Sequence, residues 1–267
     1  WQREAMFRSI TPETLGRSLH LQLLAAESRL ELVRREYTLN GVKIYHGAIP
    51  REGLKGLLAI RAAWEKVRFI LEELAFDGLE LGAVDPDTYD PEKRLLYFPA
   101  RIRVTEEPSP HAGLPPRIAE LETAERVSTL AGNLALLQGA LELFWLSAPS
   151  NPLANYRELF DGDPFPPSSA PASPAADAAG LIRVILANLE AMHFDEGEGT
   201  LVDRNLEGVR LGTVTTTHVA RALRVLAEAQ EIIPSDPRIE KLLEAQVDFL
   251  VRRLLDPVDG RAWDGWE

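Results

Sequence analysis

Residues 181–203 read LIRVILANLEAMHFDEGEGTLVD, and residues 242–264 read LLEAQVDFLVRRLLDPVDGRAWD. Set one on the other with a shift of 61 positions, they share five identities in 23. Leu181 meets Leu242, Leu189 meets Leu250, Asp195 meets Asp256, Gly199 meets Gly260 and Asp203 meets Asp264. Three of these identities lie in one D-x-x-x-G-x-x-x-D frame. Each copy opens with apolar residues at helical spacing and closes in an acidic, glycine-containing loop. A helix running into such a loop twice, with another helix between, is the pattern of stacked helical hairpins.

Working outward, helices dominate. TTTHVARALRVLAEA (215–229) supplies the helix between the copies, with threonines for its N-cap. A helix over 177–193 leads into the first loop, and Ser235 caps the helix that leads into the second. In the other half, Thr11-Pro12-Glu13 is a helix start, with Thr as N-cap and Pro at the first helical position. Residues 54–74 carry a helical apolar stripe that includes Trp64. A long helix over 118–146 is apolar nearly all round, which makes it central. Trp64, Leu136, Leu137, Leu143 and Phe144 are the expected core. VKIYH (42–46) and LLYFPARIRVT (95–105) read as short strands. The expected fold is therefore mostly α, antiparallel helical hairpins or a bundle, with one small two-stranded β ribbon.

DGDPFPPSSAPASPAA (161–176) holds five prolines and cannot continue a helix. It divides the chain into a helical region with short strands (1–160) and a helical-hairpin region (177–267), either as a linker or as a long surface loop.

Over 177–267 the pattern resembles the α/α-toroid proteins, the six-hairpin glycosidase-like and terpene-cyclase-type repeats. Asp256, Pro257, Gly260, Trp263 and Asp264 carry the resemblance, and Asp195, Gly199 and Asp203 are its second copy. A closed toroid needs more hairpins than the two seen here. GLLAIRAAWEKVRFILEELAFDGLELGAVD (56–85) is similar to the central helix of imelysin-like bundle proteins, which implies an extracytoplasmic location. The G-x-H-x-x-E motif of that family is absent: His111 stands in SPHAGLPP. The first residue is Trp1, not Met, so the sequence reads as trimmed at its front, either by artificial truncation or by removal of a signal peptide.

Composition removes several function classes. The 267 residues carry a formal net charge of −12, so nucleic acid and anionic lipid are not expected partners. With no cysteine there is no disulfide, thiolate metal site or cysteine nucleophile. No membrane span is expected. There is no G-x-S-x-G, no G-x-G-x-x-G and no G-K-[ST], so no cofactor is expected. Neither acidic loop places oxygen ligands as an EF-hand does, and no two histidines stand at ligand spacing, so no metal is expected.

What chemistry remains lies in the loops. Asp195, Asp203, Asp256 and Asp264 are the candidate catalytic acids, since glycoside hydrolysis needs two carboxyls across a cleft. Trp263, Trp266 and His193 are the candidate ligand-binding residues: the tryptophans for stacking on a sugar, the histidine as a base oriented by Asp195. The same residues also suit a plain inter-helix turn, with Asp195 capping its own backbone and Gly199 at positive φ. The leading expectation is a non-catalytic, exported binding or interaction protein with a glycan or protein ligand. The alternative is a carbohydrate-active enzyme with acids in its inter-helix loops.

Overall fold

The computed structural model describes residues 8–34, 36–39, 42–45, 50–114, 116–148, 172–206 and 209–266. Most of the proline-rich stretch thus lies outside the described residues. Its last residues already belong to a helix, with Ser173 as N-cap and Pro174 in the first turn.

In chain order, β1 (Ser9–Ile10) leads into α1 (Pro12–Arg34), followed by β2 (Glu36–Leu39), β3 (Val42–Tyr45) and α2 (Pro50–Glu73). Next come β4 (Ala75–Phe76), β5 (Leu81–Gly82), β6 (Arg101–Glu107), β7 (Arg117–Glu125), β8 (Ser128–Thr129) and α3 (Leu130–Ser147). Then follow α4 (Pro174–Asn188), a π-helical turn (Leu189–His193), β9 (Phe194–Asp195), β10 (Thr200–Leu201), β11 (Arg204–Leu206) and β12 (Val209–Leu211). The chain continues with β13 (Val214–Thr215), α5 (Thr216–Ile232), α6 (Pro237–Phe249), a second π-helical turn (Leu250–Leu254) and β14 (Gly265–Trp266).

The expectation of a mostly α fold is corrected: among the described residues the protein is mixed α/β, its helices accompanied by strands in small antiparallel sheets. The largest departure is at 117–125, which is strand where the long central helix was expected to begin. Leu121 and Thr123 face Val104 and Ile102 across the ladder, while Glu122 opposes Arg103 on the other face. That alternation is paired with a distant strand, and a distant partner outweighs local propensity. The sheet runs β1-β6-β7, all antiparallel.

The resemblances fall with this. The 56–85 stretch is not one bundle helix: α2 ends at Glu73, and Ala75–Phe76 pairs with Leu81–Gly82 in a hairpin turned at Gly78, whose φ is +97°. The two hairpins of the C-terminal half are joined to α1, α2 and a β-sheet rather than to further hairpins of a ring.

The core centres on α3, which packs against α1 on one side and against α4 and α5 on others. It is long and apolar enough to cross a membrane, but 83% of it is buried inside the fold. Its mean apolarity is spent on neighbouring helices, as the all-round pattern required. Trp64, Leu136, Leu137 and Leu143 are buried, and Phe144 is half-buried against the same core. Trp64 also donates its indole N–H to Asp177 Oδ2 at 2.6 Å, tying α2 to the start of α4.

Candidate functional site

The two quoted stretches are equivalent in space, and the equivalence extends further than the sequence shows. Each helix, α4 and α6, ends in a π-helical turn and then an Asp-led loop. Asp195 Oδ1 accepts the N–H groups of Gly197 (2.9 Å) and Glu198 (3.2 Å). Asp256 Oδ1 accepts those of Val258 (2.7 Å) and Asp259 (3.3 Å). The N–H of Gly199 reaches Asp195 O, and that of Gly260 reaches Asp256 O. Both glycines take positive φ, +69° and +71°. The loops close alike, Val202 N–H to His193 O and Trp263 N–H to Leu254 O, each at 2.8 Å.

Each loop then docks on the start of another helix. Asp203 O accepts the N–H of Leu130, the first residue of α3, and Asp264 O accepts that of Thr216, the first residue of α5. Thr129 and Thr215 are the N-caps of those helices, and β8–β11 and β13–β14 are the matching strand pairs. The unit is therefore strand, capped helix, second helix, π-helical turn, Asp-Gly loop and return strand, present twice. Thr129 as a partner of Thr215 was missed in the sequence because the helical reading ran straight through it.

The candidate acids are thus placed as follows. Asp195 and Asp256 serve their own turns. Asp203 lies 3.7 Å from His218 Nε2 and 3.5 Å from Arg204 Nε, partly buried. Asp264 lies in the same neighbourhood through its backbone, at the start of α5. Trp263 is 57% exposed, and its carbonyl accepts the Thr216 hydroxyl. Trp266 pairs with Val214 in β14, and its side chain lies outside the described residues. Glu198 of the first loop and Arg253 of the second π-helical turn approach to 3.8 Å, so the two loops are neighbours.

The His193 ring meets partners other than Asp195. It is fully buried, with Nδ1 2.9 Å from Val202 O and Nε2 2.9 Å from Ser128 Oγ. A carbonyl only accepts, so Nδ1 carries the proton and Nε2 accepts from the serine. Asn133 Nδ2 donates to Ser128 Oγ at 3.0 Å and to Thr129 O at 2.8 Å. Burial holds the imidazole down to about 4, and it is neutral at pH 7.

Beside the first loop opens a cleft of about 810 Å³. Asp90, Glu92, Glu190, Asp195 and Glu196 supply its acids, and Arg210, Arg238 and Lys241 its cations. Lys241 is held by Glu190 at 2.7 Å and lies 5.2 Å over the Phe194 ring, and Arg238 is held by Asp236. A second void of about 370 Å³, lined by Glu198, Thr200 and Val202 of the same loop, shares Asp195 and Arg210 with the first. Among the described residues, no group of three His, Asp or Glu side chains is placed to hold a metal ion.

One further titratable group stands apart from this cleft. Glu142, on the buried face of α3, is 8% exposed and, among the described residues, has only His20 Nδ1, at 3.8 Å, within ion-pair reach. Burial first, then Glu27 and Glu228, push its carboxyl up to about 7. No family model matches the chain, and no curated protein is similar to it, so neither resemblance read from the sequence has support there.

Proposed function

We propose that the protein is a non-catalytic binding protein whose ligand, a glycan or a protein segment, is taken in the cleft beside residues 194–197. The observation that carries this reading is the double void around Asp195 and Arg210, bordered by charges of both signs. Such a lining suits recognition by several directed hydrogen bonds. Hydrolysis would need one carboxyl held protonated opposite an ionised one. Glu142, the carboxyl raised to about 7, is not among the cleft's lining residues. Asp195 and Asp256 already accept two backbone N–H groups each, and Ser128 and His193 are sealed from solvent.

A carbohydrate-active enzyme is the second reading, favoured by the number of acids along the same cleft. Glycan and peptide arrays, followed by ligand titration of amide NMR shifts, separate the two. Under the proposal a ligand shifts Gly197 and Arg210, Arg210→Ala weakens it at least about tenfold, and no turnover occurs. Sugar turnover abolished by Asp195→Asn would overturn the proposal in favour of the enzyme.

A further inference from the structure

The duplicated unit supplies its own control for the buried polar cluster. The residues equivalent to Ser128, Asn133 and His193 in the second unit are Val214, Val219 and Leu254. Those three are 4%, 1% and 0% exposed and form one apolar cluster with Phe249. The same turn, loop and strand pair are thus built once around a Ser-Asn-His cluster and once around Val-Val-Leu. Folding this unit does not require the polar set. Buried polar groups are costlier than apolar ones of similar volume, and here Asn133 Oδ1 is left without a hydrogen bond.

What the polar set adds is a titratable group at the base of the loop that borders the cleft. His193 closes that loop twice, through its carbonyl to Val202 N–H and through Nδ1–H to Val202 O. Its Nε2 ties the loop to β8 through Ser128. A proton on Nε2 would turn that atom from acceptor to donor. Ser128 Oγ would have to reverse its hydroxyl while it still receives Asn133 Nδ2. The new charge would also sit in a dry site.

Of the charged groups around it, Asp203 attracts the proton and Arg210 on β12 repels it. Arg204 on β11 is near Asp203, and Glu190 on the same π-helical turn is held by Lys241. β8 and the first turn of α3 bring only Ser128, Thr129 and Asn133. Among the described residues, no carboxylate is hydrogen-bonded to the ring to hold an imidazolium in place.

We propose that the Ser128–His193–Asn133 cluster is a proton-operated latch on loop 194–202, closed while the imidazole is neutral and opened when it is protonated. Opening would release the wall of the cleft formed by Phe194, Asp195 and Glu196. Only this last consequence rests on the binding reading above; the latch itself is independent of any ligand.

The test is amide hydrogen exchange on the full chain at pH 7 and pH 4, with exchange rates corrected for intrinsic pH dependence. The second loop, which has Leu254 in place of the histidine, is the internal reference. The Val202 and Gly199 amides should lose at least about tenfold more protection on acidification than their counterparts Trp263 and Gly260. Replacing the polar set by that of the other unit, Ser128→Val, Asn133→Val and His193→Leu together, should abolish the difference. Equal loss in both loops, or no loss in the first, overturns the latch, and this comparison holds in the wild-type chain even if the triple variant does not fold. Retention of the difference in a folded triple variant overturns it too. Failure to find any ligand for the cleft leaves these outcomes unchanged.

Discussion

An added Cβ at Gly199 or Gly260 would meet no atom within 4 Å, yet both positions have φ near +70°. The obstacle to a side chain there is the backbone alone. Gly199→Ala and Gly260→Ala should each destabilise by about 1 kcal/mol, and by similar amounts, as read from urea midpoints. A much larger loss at either site would mean that the loop makes contacts beyond those described. At the same scale, Asp195 and Gly199 were legible in sequence as a turn residue and its left-handed partner, because a short acid followed by glycines has few other uses. His193 was not: a histidine at a helix end reads as exposed, and nothing local announces that Ser128, 65 residues earlier, seals it.

α1 and α3 cross in close contact at two glycines. A Cβ on Gly16 would fall inside the backbone of Ala135 and Leu136, and one on Gly139 would come within 2.9 Å of Gly16 O. Gly16→Ala should therefore cost about 2–4 kcal/mol by chemical denaturation, because backbone and not a flexible side chain must move. Gly56→Ala, whose Cβ would have the Leu30 side chain and the carbonyl of Ala26 as its nearest neighbours, at 3.0 Å and beyond, should cost less. The helices themselves were legible, since Thr11-Pro12-Glu13 starts α1 and the Thr14 N–H does bond Thr11 Oγ1 at 3.1 Å. What sequence could not supply was strand pairing. Residues 117–125 carry enough Glu and Ala to pass for helix, and β8, β11, β13 and β14 are two or three residues long. Such strands exist only because a hairpin's return places them side by side. In sequence the repeat is visible in its loops, while its strand and N-cap half, 128–129 against 214–215, shares only one threonine, too little to align.

For the whole molecule, two buried groups among the described residues, Glu142 and His193, oppose each other across the mildly acidic range. Glu142 is raised to about 7 in the folded chain from an ordinary 4.5, so between those values the folded state holds more protons than the unfolded one. Its effect is to lower stability as pH rises from 4.5 to 7. His193 is lowered to about 4 from 6.5, so in that interval the unfolded state holds more protons. Its effect is to lower stability as pH falls from 6.5 to 4. Over the shared interval these two slopes cancel in part, so the melting temperature of the wild-type chain should change less between pH ~4.5 and ~6.5 than that of a chain lacking either group. Glu142→Gln removes one slope. That variant should be more stable than wild type at pH 8, by about 1–2 kcal/mol, and indistinguishable from it below pH ~4. Its melting temperature should then fall on acidification from 6.5, exposing the histidine. The triple replacement of Ser128, Asn133 and His193 should tilt the profile the other way, rising on acidification from 7. Scanning calorimetry of the three chains across pH 4–8 decides it: parallel profiles would mean that neither group is as deeply buried in solution as its surroundings require.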